Sequence, residues 1–253
     1  MPIRAVDVSS YQGNVNCEAL HRDGVRQIFI KATEGAGQYY NPWFGPVWDA
    51  AAKAQLDRSP YHFAHLDQSP TVQMNYFHNT VKAKGLRAID GLFALDVEET
   101  SMGHITARQA VYNLQAMLEH LTGPLGERSA YIYTDRNTWV NLLGNPKAKF
   151  FAQFPLWLAS YAAAPGAIPG PWSHYTWWQH TDRANEPGAG SLDESYFYGT
   201  QAQLDGLRRI HTVTPQAHPV SKVRKVLRTV HPGHIVAKPK TTVAPHPTCK
   251  GAK

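Results

Sequence analysis

The feature that most constrains the fold is an alternation of short β-like runs with longer amphipathic stretches, which continues through the first 210 residues. This alternation is typical of βα units around a parallel sheet. Helical patterns follow Asn41-Pro42 and Ser69-Pro70, and a third ends at Gly123-Pro124. The predicted helices span residues 43–56, 72–84 and 106–121. The predicted strands are residues 3–8, 27–32, 58–63, 92–97, 130–133, 156–159, 176–180 and 192–197.

Eight strands in roughly 200 residues predict an α/β fold, a TIM-like (β/α) barrel, over residues 1–209. The final strands are expected to be irregular, because residues 162–171 are too few and too rich in proline for a full crossover helix. Active sites of such barrels lie at the carboxyl ends of the strands. Functional residues are therefore expected where the predicted strands end.

A basic low-complexity tail follows the barrel, at residues 210–253. From residue 211 onward there are six Lys and two Arg but no Asp or Glu, whereas the first 210 residues hold 17 basic and 19 acidic side chains and all 28 aromatic ones. A proline-rich segment without aromatic residues buries too little apolar surface to offset its ordering entropy, so the tail is predicted to be disordered. It is either a solvated terminus or a segment that binds anionic polymers.

The sequence predicts no cofactor, metal site or membrane span. The histidines of His231-Pro-Gly-His234 lack the cysteine partners or helical spacing of a zinc site. Cys17 and Cys249 lie near opposite ends of the chain and are expected to be free thiols. No apolar run approaches the ~18–20 residues of a membrane helix, and the N-terminus lacks the apolar region of a signal peptide. The chain is therefore expected to be made in the cytoplasm without an export signal.

Two carboxylates, Asp96 and Glu98, follow the apolar run Leu92-Phe-Ala-Leu95. Residues i and i+2 of a strand point to the same face, so both side chains should project together from the end of a buried strand. Such a pair suits glycosidic bond cleavage, which needs one protonated acid and one carboxylate at the anomeric centre. The alternatives are an acid pair on the surface and a set of ligands for Mg²⁺.

Three further acids stand at the ends of other predicted strands. Asp7 ends the first strand, Glu34 follows the second and Asp193 lies on the last. The first and last strands of a closed barrel are neighbours, so Asp7 and Asp193 should flank one side of its mouth. Gathering like charge costs stability, and proteins usually do so for catalysis or metal binding. Singly, Asp7 also fits an Asx turn and Glu34 an ion pair with Lys31.

Aromatic and amide side chains near the same strand ends are candidates for sugar binding. They are Tyr61, Trp157, Tyr161 and Gln179. Aromatic rings stack on the C–H faces of sugars, and amides read their polar edges. Core packing is the alternative for each aromatic ring.

Seven short segments together resemble the lysozymes of glycoside hydrolase family 25. They occur in that family's order and cover residues 3 to about 199. Cys17 and His180 depart from residues common in the family, and neither is expected to contact an acid. The matching segments are residues 7–13 (DVSSYQG), 31–35 (KATEG), 61–63 (YHF), 95–98 (LDVE), 157–161 (WLASY), 178–181 (WQHT) and 193–197 (DESYF).

The resemblance implies a muramidase that hydrolyses the β-1,4 bond between N-acetylmuramic acid and N-acetylglucosamine in peptidoglycan. It implies that Glu98 is the proton donor and that Asp96 is its partner, facing the anomeric carbon or orienting the 2-acetamido group. Asp7 and Asp193 match additional acidic positions. Glu34, Tyr61, Trp157, Tyr161 and Gln179 are then candidates for substrate binding.

A wall-cleaving enzyme without a signal peptide suggests a phage endolysin that a holin releases from the host cytoplasm. The basic tail would then bind anionic wall polymers, and no specific nucleic acid is expected as a partner. Two rival functions stay open. One is a metal-dependent barrel hydrolase that uses the same acids as ligands, and the other is a non-catalytic glycan-binding protein on the same barrel. The sequence does not indicate an oligomeric state.

Overall fold

The computed structural model describes residues 2–86, 90–127 and 129–209. The predicted tail at residues 210–253, including Cys249 and the His231–His234 motif, lies outside the described residues. The boundary drawn at residue 209 therefore stays a prediction.

The described strands form one sheet that closes into a barrel, as predicted. The order is β1-β9-β8-β7-β6-β5-β4-β2-β3, and a pairing of β1 with β2 closes an eight-stranded barrel that leaves β3 outside as an edge strand. The eight predicted strands correspond to β1, β2 and β4–β9. The strands are β1 Arg4–Val8, β2 Val25–Glu34, β3 Tyr39–Tyr40, β4 Asp57–Phe63, β5 Phe93–Asp96, β6 Ala130–Asp135, β7 Leu156–Ala159, β8 Trp177–Glu186 and β9 Gly190–Phe197.

The irregularity predicted for the final strands takes the form of a hairpin. From β1 through β2 and β4 to β8 the barrel strands pair in parallel, but β9 runs antiparallel to both β8 and β1. A tight turn after Glu186 joins β8 to β9, and residues 160–176, which connect the parallel strands β7 and β8, contain no helix, as predicted for residues 162–171. Asp7 consequently lies directly opposite Asp193 in the register of β1 and β9.

An ion network outside the barrel fastens this closing strand. Arg4 on β1 contacts Glu194 on β9, with 2.5 Å from Nε to Oε2, and also pairs with Asp23 and Glu186. His180 Nε2 lies 2.9 Å from Glu194 Oε1. The expectation that His180 contacts no acid is therefore wrong, although Glu194 is not one of the candidate site acids.

The three predicted helices are present with shifted ends, and three more were not predicted. Within the described ranges, no helix is long and apolar enough to cross a membrane. Besides the α-helices, the described residues contain a 3₁₀ turn at Glu99–Met102 and a π-helical segment at Asn137–Leu142. The helices are α1 Cys17–Arg22, α2 Phe44–Lys53, α3 Pro70–Lys82, α4 Ala107–Thr122, α5 Lys149–Ala152 and α6 Gln201–Arg209.

Strand alternation divides the buried side chains into two clusters. In β5, Phe93 and Leu95 belong to the cluster shared with the helices, whereas Ala94 belongs to the smaller cluster inside the barrel. Phe29 fills that interior by stacking on Trp157 at 4.0 Å between ring centroids, and Trp177 packs edge-on against it. The interior is thus a packed core rather than a channel. In β1 and β5 a carboxylate follows two residues after the interior alanine, Asp7 after Ala5 and Asp96 after Ala94, toward the carboxyl ends of the strands.

Candidate active site

Asp96 and Glu98 meet where β5 ends. Asp96 is the last residue of the strand and is 8% exposed, and Glu98 is partly exposed two residues later. The backbone at Glu98 is still extended, which keeps both side chains on one face, and a hydrogen bond joins the two carboxyl groups. Glu98 also caps the following 3₁₀ turn. Its N–H donates to Ser101 Oγ at 3.0 Å, and its carboxylate accepts from the Ser101 backbone N–H.

Burial and like charge both favour a proton on this pair. Burial raises the pKa of Asp96 well above its ordinary value, and the charge of Glu98 raises it further. The pKa of Glu98 is also raised, first by burial and then by the charge of Asp135. Lys31 acts on both pKa values in the opposite direction. Because two adjacent carboxylates resist ionising together, the pair is suited to hold one proton that it can deliver.

Asp7 and Asp193 form a second carboxyl pair on the opposite side of the mouth. Their strands place them opposite each other, and they are hydrogen-bonded together. Burial, followed by the charge of Asp193, raises the pKa of Asp7 well above its ordinary value. Gln179 Nε2 donates to Asp7 Oδ2 at 2.8 Å and lies 3.4 Å from Asp193 Oδ2. The barrel therefore brings together the four acids that the sequence singled out as catalytic.

Gln179 connects this second pair to two tyrosines. Its Oε1 accepts from the hydroxyl of Tyr133 at 2.8 Å and from that of Tyr161 at 2.9 Å. The residue is completely buried, so it presents no edge to a bound sugar. The structure thus places Gln179 behind the site, where it orients other side chains, and not among the residues that substrate would touch.

Trp157 also lies behind the surface, contrary to the prediction that it binds substrate. It is 2% exposed, because one face stacks on Phe29 and Tyr133 packs edge-on against the ring. Its Nε1 donates to Ser195 Oγ at 2.9 Å. No ring face is left for a sugar. Trp157 lies two residues before the end of β7, inside the barrel and not at the mouth.

The remaining candidates for substrate binding lie at the mouth. Tyr161 is 56% exposed, and Tyr61 is 8% exposed. Burial, together with the charge of Asp7, raises the pKa of Tyr61 well above its ordinary value, so its hydroxyl stays protonated as a donor.

Glu34 is held by Lys31 and His65 rather than left free for substrate. Its Oε2 lies 2.7 Å from Lys31 Nζ and its Oε1 lies 2.9 Å from His65 Nε2. Burial alone would raise the pKa of Glu34, but the hydrogen bonds from Lys31 and His65 lower it below the ordinary value. The ion pair with Lys31, one of the two alternatives considered from the sequence, is therefore present. Lys31 brings positive charge to an otherwise acidic mouth.

Asp135 is a site residue that the sequence analysis missed. With Glu98, Tyr133 and Tyr161 it lines a depression of about 310 Å³. Its carboxylate accepts hydrogen bonds from the backbone N–H groups of Asn137 and Thr138, at 2.7 and 3.0 Å, so it also caps the π-helical segment. The signal was available, because Asp135 is an acid at a strand end. The predicted strand stopped two residues short of it.

The arrangement suits acid-catalysed cleavage of a polar polymer. A depression of about 490 Å³ at the other end of the barrel, between the starts of β7 and β8, has no acidic residue in its lining. Among the residues that the structure describes, no group of three or more His, Cys, Asp or Glu side chains is arranged to hold a metal ion. A carboxyl pair with raised pKa values beside an open groove is the arrangement that general acid catalysis requires.

Comparison with known proteins places this geometry in a family. Residues 6–189 match the model of the glycosyl hydrolases of family 25. An N,O-diacetylmuramidase from Arthroderma benhamiae is 32% identical over 209 residues, which is 80% of this chain and 85% of the relative.

Two solved structures share the fold. A muramidase from Trichobolus zukalii superposes with a TM-score of 0.73 at 31% identity, covering 82% of this chain and 99% of its own. A bacterial lysozyme from Streptomyces coelicolor superposes with a TM-score of 0.75 at 25% identity, covering 83% and 98%.

Proposed function

The chain belongs to the glycosyl hydrolases of family 25, and from this premise we propose that it is a muramidase that hydrolyses the β-1,4 bond between N-acetylmuramic acid and N-acetylglucosamine. It is a glycosidase of a family whose named relatives are lysozymes and muramidases. The observation that carries the proposal is the hydrogen-bonded pair of Asp96 and Glu98, with raised pKa values, at the edge of an open groove. A protonated acid and a carboxylate side by side meet the requirement of glycoside hydrolysis.

In this proposal Glu98 donates its proton to the oxygen of the leaving sugar. It is the more exposed of the pair, and it lines the groove, whereas Asp96 lies deeper. Asp96 Oδ1 is buried and has no hydrogen-bond partner among the described residues. An acetamido N–H of the substrate would satisfy this oxygen, which supports a role for Asp96 in orienting the 2-acetamido group. A negative charge here would also stabilise positive charge that develops at the anomeric carbon.

Asp7 and Asp193 complete the proposed site from the other side. Their pair adds negative potential around a cationic transition state, and preorganised charge of this kind is usually the largest catalytic contribution. Tyr161 offers an exposed ring whose hydroxyl is fixed by Gln179, which suits stacking on a sugar.

The proposal is tested by mass spectrometry of the products released from defined peptidoglycan. We expect fragments with muramic acid at the new reducing end. Glucosamine at that end would indicate a glucosaminidase, and free peptides would contradict glycosidase action. An assay with EDTA separates the metal-dependent rival, since turnover should survive the chelator. Binding to peptidoglycan without new reducing ends would favour the rival in which the barrel only binds glycans.

We also propose that the enzyme is a phage endolysin, made in the host cytoplasm, that reaches the cell wall after a holin opens the membrane. The relatives compared above come from fungi and Streptomyces, so the proposal rests on the features of the sequence alone. The basic tail is proposed to add affinity for anionic wall polymers. Expression in a bacterium with and without a holin tests whether the enzyme needs a holin to reach the cell wall. Lysis that needs the holin supports it, and lysis without the holin contradicts it.

Replacing Gln179 with Met should lower kcat by about 10- to 100-fold, because small misplacements of catalytic groups cost that much. The hydrogen bond from Gln179 lowers the pKa of Asp7, so its loss should raise that pKa and move the acid limb of the pH profile to higher pH. Steady-state kinetics across pH measure both effects. The exposed Gln153→Met is the matched control. An unchanged pH profile together with a lower Tm would mean that Gln179 is only structural.

A further inference from the structure

A second depression adjoins the site on the side of the β8–β9 hairpin. It has a volume of about 500 Å³ and shares Tyr161 with the depression that contains Glu98. The binding surface therefore continues from Glu98 across the exposed ring of Tyr161 to Arg183. The lining residues are Tyr161, Ala162, Ala163, His180, Thr181, Asp182 and Arg183.

A break in strand register presents Arg183 to this depression. The pairing of β8 with β9 shifts on both sides of Thr181, and between Thr181 and Ala184 the two residues Asp182 and Arg183 stand against the single residue Asp193 on β9. Bulges of this kind redirect side chains and are frequent beside active sites. The side chain of Arg183 is 85% exposed. Its neighbour Asp182 acts on the site electrostatically. Burial raises the pKa of Asp193, and the charge of Asp182 raises it further.

The charge of this corner differs from that of the mouth. Six acids of the described part of the chain surround the mouth, and they repel carboxylates; they are Asp7, Glu34, Asp96, Glu98, Asp135 and Asp193. Arg183 Nε lies 3.3 Å from Asp182 Oδ1, yet the exposed guanidinium keeps further donors available for a second carboxylate. The depression thus combines a fixed aromatic ring at one end with an exposed guanidinium, paired on one side with Asp182, at the other.

We infer that this depression binds the peptide stem of the substrate, with Arg183 pairing to a stem carboxylate. The inference rests on the proposed function. Each peptide stem is attached to the lactyl group of a muramic acid, so it leaves the glycan beside the bond that is cut, and it carries free carboxylates. Arginine recognises carboxylates through two parallel hydrogen bonds. The hairpin would therefore make the enzyme prefer glycan strands that carry peptides over bare ones.

The test compares two soluble substrates that differ only in the stem. One is uncrosslinked glycan with intact peptides, and the other is the same glycan after an amidase has removed them. With Arg183→Ala we expect KM for the peptide-bearing glycan to rise about threefold to tenfold, the range for an exposed charge-assisted contact. We expect kcat on this substrate and both constants on the bare glycan to be unchanged. Arg183→Glu should raise KM on the peptide-bearing glycan further.

Arg22→Ala is the matched control, because Arg22 is an exposed arginine on helix α1 with a side chain that is 72% accessible. An Arg183→Ala enzyme with unchanged KM on peptide-bearing glycan overturns the inference, and so does an equal rise of KM on both substrates. Cleavage of the bare glycan by the unaltered enzyme tests the proposed function separately, since that reaction does not involve the stem.

Discussion

Glu98→Gln should lower kcat by at least about 10²–10⁴-fold, the usual contribution of one proton-transfer group. The amide cannot protonate the leaving oxygen. Its Oε1 can still accept from the Ser101 N–H, as the carboxylate does, so the fold and binding to peptidoglycan should persist. Release of reducing ends measures kcat, and co-sedimentation with cell walls measures binding.

The pH profile distinguishes a lost proton donor from a general disturbance. Burial and the charge of Asp135 raise the pKa of Glu98, so the unaltered enzyme should keep its acid protonated to higher pH and lose activity only above that pKa. Residual activity of Glu98→Gln should lack this alkaline limb. The neighbouring Glu99 is exposed and provides the control Glu99→Gln, which should leave activity unchanged. A Glu98→Gln enzyme that retains most of its activity would refute the assigned donor.

The sequence was sufficient to predict the barrel, because its strands carry a strong pattern of buried residues. The same alternation predicted that Asp96 and Glu98 share a face and that β1 neighbours the last strand. The alternation did not predict the full length of a strand where backbone pairing, and not an apolar pattern, extends that strand. The half of β8 after Thr181 is polar, and it pairs with β9 without an apolar stripe. The bulge at Asp182 and Arg183 therefore left no trace in the hydrophobic pattern.

The candidate site was only partly predictable for a related reason. Trp157 and Gln179 belong to the right strands, but the sequence does not show which aromatic or amide is covered by its neighbours. Trp157 is covered by Phe29, which comes from a strand more than a hundred residues earlier. The role of Lys31 was not predictable either, because its effect on the pKa values of Asp96 and Glu98 depends on closure of the barrel. Strand ends predict where a site lies, and tertiary packing decides which side chains reach it.

Asp96→Asn should also reduce turnover by several orders of magnitude, comparable to the loss of a proton-transfer group at about 10²–10⁴-fold. The substitution removes the negative charge beside the anomeric centre and replaces the buried acceptor Oδ1 with a group that is free to orient as a donor. The hydrogen bond from Asp96 lowers the pKa of Glu98, and an amide is a weaker donor than a carboxyl O–H. In the residual activity, the alkaline limb should therefore move to higher pH. Kinetics across pH measure both changes.

The stability of Asp96→Asn should be kept or increased although its turnover falls, which separates the catalytic role of Asp96 from a structural one. Burial and the charge of Glu98 raise the pKa of Asp96 in the folded protein. Ionising a carboxyl with a raised pKa costs folding free energy, so stability is highest at low pH and falls as the pH rises toward that folded-state pKa. Asparagine removes this cost, and the Tm of Asp96→Asn at pH 7 should equal or exceed that of the unaltered enzyme. Asp49→Asn, at an exposed position on α2, is the control and should change neither activity nor Tm. An inactive Asp96→Asn with a much lower Tm would show that the carboxylate holds the fold together instead of serving the reaction.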